Sequence, residues 1–181
     1  MATDYTHALA GLGIAYFGAS RPMPWSYWTL AVILPVIPDL DVFSTADYGT
    51  MLGHRGITHS LVFALTLSLV AASIVRWHTP VRWWKLTSVF FAIIASHGLL
   101  DALTWGGEAI PFFWPLGGRY GNWGPLPLSD IALDLPNPWT SRAIRSELLW
   151  VWLPIALSVI LVAVCRRHRK SSHAGCQTES G

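Results

Sequence analysis

Seven histidines and aspartates lie at or inside otherwise apolar segments of this chain. Ionisable groups in a membrane segment are costly and usually face an internal cavity, where they pair, relay protons or bind ions. Imidazole and carboxylate groups together are typical ligands of a divalent metal. The candidate metal ligands are His7, Asp39, His54, His59, His97 and Asp101, with Asp41 as a further ligand or as a group that orients one.

His97 and Asp101 are spaced four residues apart within an apolar segment. On an α-helix this spacing places both side chains on one face, about one turn apart, where they can share a metal ion. The alternative is that His97 bonds a neighbouring carbonyl and Asp101 makes an ordinary polar contact. Inside a membrane segment that alternative is disfavoured, because a buried carboxylate needs a strong partner.

Asp39 and Asp41 follow Pro38 and are separated by one residue. On an extended segment their side chains would point the same way and could bind one metal together. Alternatively, Asp39 binds the metal while Asp41 orients a histidine ligand, or the pair belongs to a solvated turn. A carboxylate that is not a ligand could act as general base, so both are candidate catalytic residues.

The run from His54 to Ser60, His-Arg-Gly-Ile-Thr-His-Ser, is the densest polar stretch. Gly56 allows a sharp turn, and Thr58 or Ser60 can satisfy free amides where a helix begins. Two imidazoles therefore flank a predicted turn.

Arg55 and Arg119 are candidates for contact with an anionic substrate. Arg55 adds a fixed positive charge to the turn and could hold a phosphate or carboxylate, which makes it a candidate for catalysis and for substrate binding. Arg119 lies in the loop predicted at 105–147, which is too apolar around Arg119 to be fully solvated. We therefore expect this loop to fold back over the site. Contact with lipid headgroups is the alternative for both arginines.

The elements that must position these residues are predicted to be membrane helices. The chain has 181 residues, of which 52% are hydrophobic and 12% charged, against about 25% charged in an average soluble protein. Its mean hydropathy is +0.43. The net charge of +2 gives no indication of nucleic-acid binding. Cys165 and Cys176 form neither a disulfide framework nor a Cys-x-x-Cys metal clip.

We predict an all-α, polytopic membrane protein with about four to five membrane segments. Helices of roughly 20 residues are needed to cross about 30 Å of hydrocarbon. Three stretches are long enough, or nearly so: Ile57 to Val75, Leu86 to Leu103, and Leu148 to Cys165. Two shorter stretches precede them, at 5–19 and 25–36, as a spanning pair or a re-entrant hairpin. A kink is expected at Pro154.

Lysine and arginine near the segment ends predict the orientation. Basic residues cluster in 76–85 and 166–170, which the positive-inside rule places in the cytoplasm. Residues 39–56 and 105–147 then lie outside. All seven histidines and aspartates named above fall near the outer ends of their segments, although they were chosen by residue type and not by side. The sequence therefore predicts one site near the outer membrane surface.

We predict that residues 1–170 form one integral-membrane domain in the membrane lipid bilayer, with a cytoplasmic C-terminus. Residues 171–181 are polar and are predicted to form a disordered tail.

The order of the candidate residues resembles the YdjM-like family of inner-membrane proteins over roughly residues 5 to 135. The resemblance rests on His7, Pro-Asp39-x-Asp41, His54-Arg-Gly-x-Thr-His59-Ser, His97-x3-Asp101, Phe113-Trp-Pro-Leu and Arg119-Tyr120. It implies a metal-dependent hydrolase in the bacterial inner membrane. The family is itself distantly similar to the zinc-dependent phospholipase C and P1-type nuclease superfamily, which is all-helical and hydrolyses phosphoesters with a zinc cluster.

Carried over residue by residue, the superfamily pattern implies ligands at His7, Asp39, His54, His97 and Asp101. The superfamily continues with further histidine ligands, whereas this chain has no histidine between Asp101 and His168. The resemblance therefore implies one or two metal ions. Zinc is expected, with manganese or iron as alternatives for a mixed set of nitrogen and oxygen ligands.

The leading hypothesis is a membrane-bound hydrolase of phosphoesters, with a small molecule or a lipid headgroup as substrate and no nucleic acid as partner. One rival is a protein that binds or conducts a metal ion without chemistry. The inner halves of the segments, such as 61–72 and 86–94, carry only Ser and Thr as polar residues, which favours a site over a pathway. The other rival is a structural protein whose fold is stapled by the metal.

Overall fold

The computed structural model describes residues 2–47, 49–105, 109–121, 128–129 and 142–178. The regular elements, in chain order, are helix α1 (Asp4–Gly18), helix α2 (Trp25–Ile33), a first 3-10 helix (Ile37–Phe43), a second 3-10 helix (Ile57–His59), helix α3 (Leu61–Arg76), helix α4 (Trp83–Leu103), strand β1 (Thr104–Trp105), strand β2 (Leu128–Ser129), helix α5 (Arg142–Glu147), a π-helical turn (Leu148–Trp152) and helix α6 (Leu153–Thr178). The two strands form one short parallel pair. Every other regular element of the described chain is helical, in agreement with the predicted all-α class.

Helix α4 packs against both α1 and α3. Its buried face carries Phe90, whose ring centroid is 5.5 Å from that of Tyr27 on α2. Helices α1 and α2 approach closely at Gly11, where an added Cβ would lie 2.3 Å from the carbonyl oxygen of Ala31. Small residues at such crossings let membrane helices pack through their backbones.

The described chain has two helices that are long and apolar enough to cross a membrane, α4 and the continuous helix Ile144–Arg169. Helix α2 and the first 3-10 helix form a third candidate if they are taken together, although they are bent by 46° at their break. Helix α3 has 16 residues, about 24 Å at 1.5 Å per residue, which is less than the hydrocarbon thickness. The described chain is thus helical with two or three candidate membrane spans, which agrees with a polytopic membrane protein, and the total of four to five segments stays a prediction.

The segment predicted to begin at Ile57 begins four residues later in the structure. Helix α3 starts at Leu61, and the Oγ of Ser60 accepts a hydrogen bond from the amide of Phe63 at 3.2 Å. Ser60 is thus the residue that satisfies a free amide at this helix start. Residues 57–59 form the second 3-10 helix and lie before α3, so His59 is outside the helix.

The last helix accommodates Pro154 without a break. Proline lacks an N–H, and its ring clashes with the carbonyl four residues earlier, which here belongs to Trp150. The π-helical turn over Leu148–Trp152 widens the backbone at that point. The sequence predicts a kink at this position, and the structure has a local widening in a helix that continues.

Helix α6 runs to Thr178, beyond the predicted domain boundary at residue 170. Extending an existing helix costs far less than starting one, so a polar sequence without proline can continue it. The predicted disordered tail is therefore helical up to Thr178, and residues 179–181 lie outside the described residues. Much of the predicted outer loop, namely 106–108, 122–127 and 130–141, also lies outside them.

Candidate metal centre

Helix α4 supplies the pair His97 and Asp101. Its buried face passes through Phe90 and Ile93 with helical spacing and continues toward the C-terminal end as His97 and Asp101. The two polar side chains are as buried as the apolar ones, with exposed fractions of 0% and 1%. The Nε2 of His97 lies 3.9 Å from Oδ2 of Asp101, so the predicted pair converges on one point.

The start of α1 brings His7 to the same point. Thr3 caps this helix, because its Oγ1 accepts a hydrogen bond from the amide of Thr6 at 3.3 Å. His7 follows one turn later and is fully buried. Its ring centroid is 4.0 Å from that of His97, and its Nε2 is 3.6 Å from Oδ1 of Asp101.

The segment after Val36 is a 3-10 helix rather than the extended piece on which Asp39 and Asp41 would point the same way, so that prediction was wrong. A proline in the first positions of a helix is pre-organised for it, and Pro38 occupies such a position here. Residues two apart on a helix do not share a face. Asp39 consequently faces His97 of α4 and His59, while Asp41 contacts His54 in the following turn.

A tight turn at 53–56 carries His54 and Arg55. The amide of Gly56 donates to the carbonyl of Gly53 at 2.9 Å, and an added Cβ on Gly56 would lie 2.4 Å from the carbonyl oxygen of Met51. The turn therefore requires glycine at position 56. Arg55 itself has φ of 62°, a left-handed conformation that is uncommon for a residue with a side chain.

Four side chains form a buried donor set: Asp39, His59, His97 and Asp101, with one ligand atom of each within 4.8 Å of the others. The Nε2 of His59 is 3.6 Å from Oδ1 of Asp39 and 3.7 Å from Oδ2 of Asp101. The Nε2 of His97 is 3.6 Å from the same Asp39 oxygen. These separations are too long for good hydrogen bonds.

The donor set fits a divalent cation. Among the described residues, Nε2 of His59, Nε2 of His97, both oxygens of Asp39 and Oδ2 of Asp101 have no hydrogen-bond partner although they are buried. Leaving such groups unpaired is costly. Four ligand atoms placed tetrahedrally at about 2.1 Å from zinc would be about 3.4 Å apart, close to the observed separations. The geometry therefore suits a metal better than hydrogen bonding.

Asp41 joins a second, overlapping group with Asp39 and His54. Its Oδ1 is 2.6 Å from Nδ1 of His54, and its Oδ2 accepts a hydrogen bond from the hydroxyl of Thr58 and lies 3.4 Å from Nδ1 of His59. Because His59 turns its Nε2 toward the buried donor set, Asp41 is placed to orient that ring, as carboxylates behind metal-binding histidines do. Asp39 belongs to both groups, so it could bridge two ions.

Arg55 lies against the centre and Arg119 braces it from outside. The guanidinium of Arg55 is fully buried, with Nη2 3.5 Å from Oδ2 of Asp101. Arg119 donates from Nε to the carbonyl of Ala109 at 2.8 Å and from Nη2 to the carbonyl of Arg55 at 2.9 Å. The amide of Leu61 also donates to the carbonyl of Phe112 at 3.0 Å. Residues 109–121 of the predicted outer loop therefore do fold back over the site.

The charge state of His59 is set by its neighbours. Burial would lower the pKa of this ring, but contacts with the carboxylates of Asp39 and Asp41, together with the charge of Asp101, raise it to about 9. Without a metal the ring is protonated at neutral pH and offsets part of the carboxylate charge. A cation bound at His59 must displace this proton.

Glu147 supports the site and was missed by sequence reasoning. It is fully buried, and its carboxylate accepts three hydrogen bonds of 2.7 Å, from the amide and hydroxyl of Thr3 and from the hydroxyl of Thr6. The hydroxyl of Thr6 also accepts from Nε1 of Trp152 at 2.6 Å. These contacts tie the end of α5 to the first turn of α1, which carries His7. The only available signal was a carboxylate directly before a strongly apolar segment.

The predicted site residues meet at one end of the bundle. Those in mutual contact are His7, Asp39, Asp41, His54, Arg55, His59, His97 and Asp101. Arg119 reaches this group by donating to the backbone carbonyl of Arg55. The basic end lies at the other terminus of α1, where Lys85 donates to Ser20 and Arg166 donates to the carbonyl of Tyr16.

Comparisons with known proteins place the chain among inner membrane proteins. No solved structure matches it. It is 36% identical over 163 residues to inner membrane protein YbcI of Escherichia coli (strain K12), an alignment that covers 85% of this chain and 92% of the relative. The family model described as YdjM inner membrane protein matches residues 1–171, a range that contains every residue of the candidate metal centre. The chain therefore belongs to the YdjM family of inner membrane proteins.

Proposed function

We propose that this protein is a membrane-bound, metal-dependent hydrolase that acts on a phosphoester. One observation carries the proposal: a buried set of unpaired histidine and aspartate atoms surrounds a common point, and a buried guanidinium lies 3.5 Å from one of them. A cation beside an arginine is a suitable environment for a phosphoryl group, which carries charge on several oxygens.

The ligands of the proposed metal are Asp39, His59, His97 and Asp101, with His7 and His54 in adjacent positions. When bound, a divalent ion would supply Lewis-acid activation of a water molecule and of a phosphoryl oxygen. Zinc is the first expectation, and manganese or iron would also suit these ligands. One ion fits the buried set, and a second fits the group that shares Asp39.

Asp41 is the proposed general base. Alternatively, it orients a neighbouring histidine that serves as the base. It is partly exposed and contacts Nδ1 of His54 at 2.6 Å, so it faces the more open side of the centre. A base must reach the proton that it removes, and the buried carboxylate of Asp101 lies too deep for a solvent water. Substrate would therefore approach along the first 3-10 helix and the turn at 53–56.

Arg55 is the proposed anchor for the phosphoryl group. Since its guanidinium is fully buried beside Asp101, a phosphate reaches it only by entering the centre itself. Arg119 would act on the substrate mainly by fixing the backbone of Arg55. The choice of a phosphoester as substrate also follows the resemblance inferred from the order of the candidate ligands in the sequence, and it is an analogy rather than an observation of the site.

The burial of the donor set favours a second candidate function. His97 and Asp101 are closed to solvent, and structural metal sites are closed whereas catalytic ones keep an open position. In this alternative the ion joins α4 and the two 3-10 helices without performing chemistry. Its loss would then lower stability, and no substrate would be turned over.

The test is metal analysis of detergent-purified protein combined with a hydrolysis screen. We expect stoichiometric zinc, or another divalent metal after reconstitution, and metal-dependent cleavage of a phosphodiester such as bis(p-nitrophenyl) phosphate or of a phospholipid headgroup. His97→Ala should abolish both, whereas His78→Ala, an exposed histidine outside the centre, should retain both. Bound metal with no cleavage of any phosphoester would favour the structural alternative, and absence of metal binding would sink both.

A further inference from the structure

A deep apolar groove runs along α1 on the side away from the metal centre. It has a volume of about 470 Å³ and is lined by residues of α1, α2 and α6, among them Leu9, Leu12, Trp28, Ile155 and Val159. Gly13 lets α6 approach α1 here, because an added Cβ would lie 2.8 Å from the side chain of Ile155. Only 6% of the most apolar stretch of Ile144–Arg169 is buried, so α6 and its groove face the bilayer.

A basic pocket continues this groove at the C-terminal end of α1. The pocket has a volume of about 560 Å³ and shares Tyr16 and Trp28 with the groove. Three arginines line it, Arg21, Arg166 and Arg169, and no acidic residue does so in the described part of the chain. The apolar groove is thus continuous with the basic pocket.

Arg166 is held in place by the end of α1. It donates from Nη1 to the carbonyl of Tyr16 and from Nη2 to the carbonyl of Phe17, both at 3.2 Å. Its guanidinium carbon lies 4.9 Å from the centroid of the Tyr16 ring. These contacts offset the partial negative charge at the C-terminal end of the helix. Arg21 and Arg169 also line the pocket and are exposed, so a bound anion could reach both guanidinium groups.

We propose that the groove and the basic pocket together bind one phospholipid whose headgroup carries net negative charge. An acyl chain fills the apolar groove, and the phosphate lies among the three arginines, which suit phosphate through charge and paired hydrogen bonds. Basic pockets between membrane helices recognise anionic lipids in this way. A headgroup that ends in an ammonium would bring a cation against the arginines and is disfavoured.

This lipid site is separate from the metal centre. His7 lies in the first turn of α1, whereas Tyr16 and Phe17 lie in its last, about 14 Å further along the axis at 1.5 Å per residue. The two sites also use different faces of the helix, since His7 is buried against α4 and Leu9, Leu12 and Tyr16 line the groove. A lipid bound here is a ligand of the fold rather than the proposed substrate.

The test is native mass spectrometry of the full chain in detergent with added phosphatidylglycerol or phosphatidylcholine. We expect one phosphatidylglycerol to stay bound under conditions that remove phosphatidylcholine. Arg21→Gln combined with Arg169→Gln should weaken retention of phosphatidylglycerol by about tenfold or more. Equal retention of the two lipids by the unaltered protein would overturn the proposal without any variant.

A matched pair of substitutions separates the pocket from general surface charge. Arg82→Gln combined with Arg167→Gln removes the same charge from exposed residues that do not line the pocket, and it should leave retention unchanged. An equal loss in both pairs would overturn the proposal.

Ala156→Trp fills the groove and keeps every charge, so it should also lower lipid retention, whereas unchanged retention would overturn the acyl-chain assignment. If the groove instead takes a second copy of the chain, the protein would be a dimer that Ala156→Trp dissociates, without preference between the lipids. Metal content should be the same in all these variants, because the lipid site does not depend on the proposed hydrolase.

Discussion

The Nη2 of Arg119 donates a hydrogen bond of 2.9 Å to the backbone carbonyl of Arg55. Arg55 is the residue of the described chain, other than glycine, with a positive φ, at 62°. Such a conformation costs of order 1 kcal/mol or more and persists where the surroundings impose it. Arg119 supplies part of that restraint. By holding the backbone of Arg55, it keeps the guanidinium of Arg55 close to Asp101.

We expect Arg55→Gln and Arg119→Ala to keep the metal and to impair substrate turnover. A guanidinium cannot bind a cation, but it can hold a phosphate. Arg55→Gln should raise KM by about tenfold or more if its contact is equal in the ground and transition states. Arg119→Ala should have a smaller effect, because it acts through the backbone of Arg55.

Metal content and steady-state kinetics of both variants check this expectation. Arg55→Gly provides a useful comparison, since glycine adopts positive φ without cost and isolates the loss of the guanidinium. Loss of metal in all three variants would mean that the arginines support the fold. Unaltered kinetics in all three would remove them from the site.

Removing a ligand should uncouple stability from metal. A cation that binds only the folded protein stabilises it, so a chelator should lower the Tm of the unaltered protein. His97→Ala and Asp101→Ala should have a lower Tm that no longer responds to chelator or zinc. Thermal denaturation with and without zinc measures this, and His78→Ala is the control. A Tm of the unaltered protein that ignores both chelator and zinc would contradict the assignment.

The pH dependence of stability should reverse on metal binding. The pKa of His59 is raised from 6.5 to about 9 in the metal-free protein. A raised pKa contributes stability that is fully present below 6.5 and is lost as the pH rises through about 9. With zinc present the trend should be opposite, because fewer protons compete for the ligand at higher pH.

Denaturation between pH 6 and 9.5, with chelator and with zinc, measures both trends. His59→Gln should remove the fall in stability of the metal-free protein above pH 6.5, and His78→Gln should preserve it. A metal-free protein whose stability is flat across this range in the absence of any substitution would contradict the proposed charge state of His59.

The residues of the buried donor set could be picked out from sequence, within a larger set of candidates, because a polar residue in an apolar segment is conspicuous. His97 and Asp101 stand out by their spacing alone, and the helix geometry that joins them is local. The sequence offered two roles for Asp41, as a ligand or as a group that orients a histidine, but it could not decide between them, because the outcome depends on whether the chain after Pro38 is extended or 3-10 helical. That choice is decided by packing and not by the two carboxylates.

Contacts between distant parts of the chain also could not be predicted from the sequence. Glu147 bonds Thr3 and Thr6, which are more than 140 residues away, and no local pattern connects them. Arg119 donates to the backbone carbonyls of Ala109 and Arg55, and a carbonyl has no signature in the sequence. Long-range polar contacts of these two kinds require the structure.

The orientation of the helical bundle in the membrane can be tested directly. The metal centre should face the outside of the cytoplasmic membrane and the basic end should face the cytoplasm, as the distribution of lysine and arginine predicts. In a background without Cys165 and Cys176, a cysteine introduced at exposed Thr45 or at Ser129 should react with an impermeant maleimide in intact cells. A cysteine at His78 should react only after lysis, and the reverse pattern would invert the topology.

Glu147→Ala should destabilise the protein and weaken the metal centre from a distance. The substitution leaves the amide and hydroxyl of Thr3 and the hydroxyl of Thr6 without their buried acceptor, a change that typically costs several kcal/mol when a charged, hydrogen-bonded group is involved. Because Thr3 caps α1, the first turn should loosen and His7 should lose its fixed position beside Asp101. Glu147→Gln keeps one acceptor oxygen, so its stability and zinc affinity should lie between those of the unaltered protein and those of Glu147→Ala. Thermal denaturation and zinc titration of both variants measure the effect, with Arg82→Ala, an exposed charged residue at the start of α4, as control. Wild-type zinc affinity in Glu147→Ala would show that the anchoring of α1 does not reach the metal centre.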